Sequence, residues 1–227
     1  MAKETTKMTS AAQGRGWVTL LGGADPSPDC IATALRHAPM MVAADGAANH
    51  AISAGYVPDR VVGDLDSLSD DARARIPADR IEHVGEQDTT DFEKCLTRID
   101  APLVLATGVT GRRLDHALAV LNTLVRHQTR PCIVFDDHDV IFAAPPKIRL
   151  DLEAGTRVSL FPLARVTGRS EGLYWPINGL DFSPDSQIGT SNRATGPVDL
   201  TFHIPGMLII LPRAALDVSL RALAPAD

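Results

Sequence analysis

Aromatic residues are scarce in this chain, 4% of 227 positions, and acidic side chains outnumber basic ones to leave a net charge of −6. A nucleic-acid surface takes its affinity from a basic stripe and aromatic stacking platforms, so both shortages argue against one. Cysteine is limited to Cys30, Cys95 and Cys132. An odd number, far apart and outside any C-x-x-C pair, speaks against a disulfide framework or a structural zinc site and leaves the cytoplasm as the expected compartment. The 7 histidines show neither H-x-H nor H-E-x-x-H spacing, so none is read as a metal ligand. No apolar run approaches the roughly 20 residues that a spanning helix needs, and residues 1–15 lack the apolar centre of a signal peptide and read as a flexible tail. A Walker A loop and a G-x-G-x-x-G fingerprint are both missing. The apolar fraction, by contrast, is 44%, ample for a buried core, so a folded, soluble protein of one large or two small domains is expected.

Against these absences stand two acidic clusters, Gly63-Asp64-Leu65-Asp66-Ser67 and Gln87-Asp88-Thr89-Thr90-Asp91. Asp64 and Asp66 follow Val61-Val62, and alternate side chains of an extended segment share a face, so the two carboxylates leave a strand end together. In the second cluster Thr90 and Glu93 form a capping box; Phe92, Cys95, Leu96 and Ile99 then fall on one apolar stripe, and Asp91 faces away from it in the first turn. Either cluster alone also fits a solvated turn, since Asp is common after strands and at helix starts. Together they suggest converging carboxylates that need a cation, and oxygen-only ligands suit Mg2+, which normally arrives with substrate phosphates.

Strands and helices alternate through the first two thirds. The expected strands are 17–21, 40–44, 61–62, 103–106 and 132–135, with a helix closed by Gly55 and a long one marked by Leu114, Leu118, Leu121 and Val125. That alternation predicts an α/β fold with an N-terminal Rossmann-like parallel sheet and ligands at the carboxyl ends of its strands. Pro145-Pro146 breaks the pattern, and from Arg157 short β-rich runs predict a small all-β, sandwich-like C-terminal domain. Within it, residues 198–204 and 207–211 around Pro205-Gly206 read as a hairpin. A third constellation, Gly108-Val109-Thr110-Gly111-Arg112-Arg113-Leu114-Asp115-His116, sits between a strand and a helix. Its glycines allow close backbone approach to phosphates, and Arg113 offers a charge-assisted clamp, although a plain helix-capping loop would also explain the glycines.

In this order, Asp45-Gly46, the two acidic clusters, the glycine segment and Gly189-Thr190-Ser191-Asn192 resemble the motifs of the thiamine pyrophosphokinase family, over about residues 20–212. Two positions depart from the pattern: Arg112 stands where a small residue is usual, and Tyr174 where Lys is common. The resemblance implies transfer of the pyrophosphoryl group of ATP to the hydroxyl of thiamine, giving thiamine diphosphate and AMP. It implies an α/β catalytic domain at 16–146 that binds ATP and Mg2+, and a thiamine-binding β domain at 147–227. Asp64, Asp66 and Asp91, with Asp88, are the implied metal ligands. Asp45, Gly46, Thr110, Gly111 and Arg113 are implied for ATP, with Asp115 near the reacting hydroxyl. Gln87, Asp88, Trp175, Ser191 and Asn192 are implied for thiamine, whose thiazolium cation suits an aromatic face such as Trp175. A homodimer with its site between subunits is implied as well. Two other readings are open to the same residues: a Mg2+-dependent nucleotide phosphohydrolase, and a nucleotide-binding protein without turnover.

Overall fold

The computed structural model describes residues 8–9 and 16–224. Of the expected tail only β1 (Met8–Thr9) is described, pairing in parallel with β6 (Ile99–Asp100); the remainder of 1–15 lies outside the described residues. The chain is a mixed α/β protein that divides into two compact units, Met1–Val120 and Leu121–Asp227.

The first unit carries the alternation read from the sequence. Its elements are β2 (Val18–Leu21), α1 (Pro28–His37), β3 (Met40–Ala44), α2 (Ala47–Ser53), β4 (Arg60–Gly63), α3 (Asp70–Arg75), β5 (Ile81–His83), α4 (Asp91–Arg98), then β6 and β7 (Val104–Thr107). The strands β7-β2-β3-β4-β5 run in that order, all parallel. Every residue of β2 and β7 is buried, as in strands covered on both faces. Side chains start the helices: the Ser27 hydroxyl accepts the Cys30 N–H at 3.2 Å, Ser69 accepts from Ala72 at 3.2 Å and Thr90 from Glu93 at 3.3 Å. Each such cap contributes about 1 kcal/mol. The stripe predicted on α4 is the buried one, with Phe92, Cys95 and Leu96 inside and Ile99 buried just past the helix end.

The long helix α5 (Leu114–Arg126) starts where the sequence placed it, but its face differs. Leu114 is 75% exposed and Leu118 54%, whereas Val120 and Leu124 are buried. Apolar residues lie on more than one side of this helix, so periodicity alone could not choose which side packs.

The second unit holds β8 (Cys132–Phe135), β9 (Asp139–Ala143), β10 (Lys147–Leu150), β11 (Arg157–Pro162), β12 (Val166–Leu173), β13 (Asp181–Phe182), β14 (Gly189–Phe202), β15 (Met207–Pro212) and α6 (Leu216–Leu223). The order is β13-β12-β14-β11-β15-β9-β8, with β10 also on β14, and these pairs are antiparallel. The expected hairpin of 198–204 with 207–211 is not formed. Residues of β14 from Val198 to Thr201 pair with β10 on one edge, while Asp199 to Phe202 pair with β12 on the other. Both edges being taken, β15 pairs instead with β11 and β9. Among the described residues, no helix is long and apolar enough to cross a membrane.

Candidate active site

Adjacent parallel strands end side by side, and β3 and β4 are adjacent. Asp45 follows the first and Asp64 the second. The Asp45 N–H donates to the Val62 carbonyl at 2.9 Å, extending the ladder by one bond, and a φ of 45° then swings the chain into α2. This left-handed conformation is uncommon for a residue with a Cβ. Gly63 makes it possible, because a Cβ there would lie 2.6 Å from the Cβ of Asp45. Leu65, with φ at 65°, turns the next loop. Asn49 holds that loop against α2: its amide donates to the Ser67 carbonyl at 2.9 Å, and its oxygen accepts the Ser69 N–H at 3.1 Å.

The result is a group of three carboxylates, from Asp45, Asp64 and Asp66, each offering an oxygen within 4.8 Å of the others. Asp45 is 6% exposed and its Oδ1 is buried without a hydrogen-bond partner. Burial pushes this carboxyl up from the ordinary carboxylate range; the charges of Asp91 and Asp64 add to the rise, while the Gly46 N–H and Ser67 hydroxyl oppose it. Asp64 is held below that range, chiefly by the Gln87 amide, which donates to it at 3.1 Å. The Ser67 hydroxyl donates to Asp66 at 2.9 Å. A buried, unpartnered carboxylate oxygen beside two further carboxylates is costly by itself. A hard divalent cation would satisfy all three, so the donor set fits Mg2+.

The family resemblance implies Asp45 for ATP, whereas the structure brings it into this group; 19 positions separate it from Asp64, and only the pairing of β3 with β4 joins them. Asp91 lines the same cleft, and Lys94, whose side chain is 3% exposed, reaches it at 3.1 Å. Lys94 was missed, although its spacing three residues beyond Asp91 on a helix was legible. Asp88 is exposed and outside the group of three, its N–H donating to the Glu86 carboxylate at 2.8 Å.

The cleft in the first unit has a volume of about 620 Å3. Its far wall is built where β2 and β7 end. A Cβ on Gly22 would sit 2.4 Å from the Gly108 carbonyl oxygen, and one on Gly108 would sit 2.5 Å from that of Gly22. The Ala24 N–H donates to the Gly108 carbonyl at 2.7 Å, which fastens the two loops together. Gly111, at φ 109°, lets the chain turn into Arg112 and Arg113, both of which line the cleft, with the half-buried Thr110 preceding them. Arg113 grips Asp115 with two hydrogen bonds, at 3.1 and 2.6 Å, and holds that carboxyl down at about 2. Gly46 also lines the cleft, its own Cβ position blocked by Ser67 at 2.9 Å.

Trp175, Ser191 and Asn192 belong to the second unit. Asn192 is buried and clamps the Trp175 backbone from both sides, accepting its N–H at 3.2 Å and donating to its carbonyl at 2.7 Å. The indole is thereby held while remaining 55% exposed. Ser191, with φ at 60°, donates its N–H to the Ser159 hydroxyl at 3.0 Å. Tyr174 meets Trp175 edge to face at 4.7 Å, and the Arg193 guanidinium lies 3.8 Å from the Tyr174 ring centre and 5.6 Å from that of Trp175. The motifs that name Trp175 do not include Arg193, whose cation beside the two rings only the structure reveals.

Comparison with known proteins accords with this arrangement. The family model described as "Thiamin pyrophosphokinase, catalytic domain" matches residues 31–135, which include both acidic clusters and the glycine loop. Thiamine pyrophosphokinase 1 of Arabidopsis thaliana is 27% identical over 191 residues, covering 69% of this chain and 72% of that protein. Thiamine pyrophosphokinase 1 of Oryza sativa subsp. japonica is 27% identical over 176 residues, covering 66% of each. The fold matches the crystal structure of thiamin pyrophosphokinase from Geobacillus thermodenitrificans with a TM-score of 0.71 at 23% identity, over 86% of this chain and 96% of that one. It matches thiamin pyrophosphokinase from Candida albicans with a TM-score of 0.74 at 17% identity, over 86% and 88%. The motifs, the strand-end carboxylates and these relatives point the same way: the chain is similar to the thiamine pyrophosphokinase family, in its catalytic-domain motifs and in its fold.

Proposed function

We propose that this enzyme transfers the pyrophosphoryl group of ATP to the hydroxyl oxygen of thiamine. The oxygen attacks the β phosphorus, the bond from that phosphorus to the bridging oxygen on the α phosphate breaks, and AMP departs with that oxygen. The observation that carries the reading is the buried Asp45 oxygen without a partner, set among Asp64 and Asp66 at strand ends within the span of the matched family. Mg2+ held by those three carboxylates would supply charge neutralisation to the phosphates and polarise the phosphorus under attack. Gln87 keeps Asp64 ionised and oriented, and Lys94 balances Asp91 beside the group. Asp88 adds negative charge from the exposed loop before α4.

Gly46, Thr110 and Gly111 present backbone to the nucleotide without bulky side chains in the way, and Arg113 grips phosphate oxygens by exchanging them for Asp115. Released from Arg113, Asp115 stays an ionised carboxylate near neutrality and orients groups beside the reacting hydroxyl. Trp175 supplies the aromatic face for the thiazolium ring, with Ser191 and Asn192 maintaining its position. Functionally the chain is read as a Rossmann-like ATP and Mg2+ domain at 16–146 and a β domain for thiamine at 147–227, working in the cytoplasm as a homodimer. The β domain carries the aromatic face but no cluster of three carboxylates that could hold a metal among the described residues, which supports a site completed by a second copy.

AMP formation from ATP and Mg2+, measured with and without thiamine, tests the activity. Strict thiamine dependence is expected; release of AMP or phosphate at the same rate without thiamine would mark a hydrolase instead. For the shared site, Asp66→Asn and Trp175→Ala should partly rescue each other in verified mixed dimers, and no recovery would place the whole site within one chain.

A further inference from the structure

Arg113 is the arginine that the glycine loop was expected to offer to phosphates, yet its neighbour Arg112 lines the same cleft. The backbone of Arg112 has φ at 36°, and its guanidinium pairs with Asp25, which itself has φ at 50°. Two residues with Cβ atoms in left-handed backbone, on two loops fastened by Gly22, Gly108 and the Ala24 hydrogen bond, face each other through one ion pair. Such backbone is disfavoured for residues with a Cβ and persists where surrounding structure demands it. His50, which also lines the cleft, stands with its Nε2 at 3.7 Å from the Asp25 carboxylate.

The pair is exposed, with the Arg112 side chain at 66% and Asp25 at 44%. An exposed ion pair of this kind is weak, whereas a guanidinium on a phosphate makes a charge-assisted and frequently bidentate contact. A polyphosphate in the cleft therefore outcompetes Asp25 for Arg112, and His50 remains beside the carboxylate that is left. We propose that Arg112 is a second phosphate-gripping residue of the nucleotide site, and that Asp25 is a positioning residue that holds it at the cleft's edge until an anion takes its place. The proposal rests on the reading of this cleft as the ATP site.

The test is direct binding of a trinitrophenyl ATP analogue by the full chain with Mg2+ and without thiamine, alongside KM for ATP and for thiamine. Arg112→Ala should weaken analogue binding and raise KM for ATP by about 3- to 20-fold, the range for one charged hydrogen-bonded contact at a solvated site, with KM for thiamine unchanged. Asp25→Asn should shift ATP the other way, tightening it by about two- to fivefold because the competing carboxylate is gone. The double variant should behave as Arg112→Ala. Unchanged binding in Arg112→Ala would overturn the proposal, as would equal weakening by both single variants, which would make the pair merely a brace between loops. Arg112→Lys, which keeps the charge but loses the planar fork, and thermal melting of each variant separate lost grip from lost folding. If no thiamine diphosphate forms while Arg112→Ala still weakens the analogue, the acceptor assignment fails and the role of Arg112 stands.

Discussion

The carboxylates of the first unit and the tryptophan of the second are held by opposite means. Asp45 takes its place through backbone: a strand end, a left-handed turn and a glycine on the next strand that leaves room for it. Trp175 takes its place through one side chain, the buried amide of Asn192 that satisfies both of its backbone groups. A site fixed by backbone accepts no change in the residues that make room, and it can hold charge that its surroundings disfavour. A site fixed by a side chain can be loosened by one truncation while the strands around it persist.

The largest effect should come from the carboxylates. Asp66→Asn preserves shape but removes a charged ligand, and turnover should fall about 10²- to 10⁴-fold, read as kcat across a Mg2+ titration. Near-normal activity at limiting Mg2+ would remove Asp66 from the metal group. Asp45→Asn should lower turnover similarly while raising the melting temperature of the metal-free protein, since it relieves a desolvated charge. A gain of about 1 kcal/mol corresponds to about 2–4 °C in a chain of this size.

Next comes the glycine that makes room. Gly63→Ala puts a Cβ 2.6 Å from that of Asp45, and overpacking of this kind costs about 1–3 kcal/mol. Activity should drop with stability here, in contrast to Asp45→Asn, and calorimetry beside kinetics distinguishes the two. In the second unit, Trp175→Ala should raise KM for thiamine roughly tenfold, from lost cation–π contact and ring burial. Asn192→Ala should reproduce part of that rise together with a stability loss of about 1–3 kcal/mol for the two backbone groups it abandons. If Asn192→Ala left thiamine kinetics untouched, the clamp would serve the β strands alone.

The smallest effect concerns Arg113. Arg113→Lys keeps the charge without the fork and should raise KM for ATP several-fold more than KM for thiamine. The Asp115 carboxyl, followed by NMR, should titrate at about 2 rather than near its ordinary 3.8. The hydrogen bonding behind that shift is present above the ordinary value and is lost as pH falls through the lower one. In Arg113→Lys the titration should move back upward; no movement would mean that the pair is not formed in solution.

Much of this protein was legible in its residues because the signals are local. A Thr three residues before a Glu caps α4, the stripe of Phe92, Cys95 and Leu96 turns its apolar face inward, and acids after apolar strands sit at the ends where parallel sheets bind ligands. Family motifs in order extended that reading to an activity. What the chain could not announce were relations between distant segments. Asp45 joins Asp64 and Asp66 only because β3 lies against β4. Residues 207–211 do not return onto β14 because β10 and β12 already occupy its edges. The buried side of α5 is Val120 and Leu124 rather than Leu114 and Leu118, since periodicity offers faces and packing selects among them. Arg112 meets Asp25 because two strand-end loops touch through a pair of glycines. Local propensity and capping act within a few residues and are written in sequence; strand neighbours, close backbone approach and the burial of a charge depend on the whole chain, and tertiary structure alone decided them.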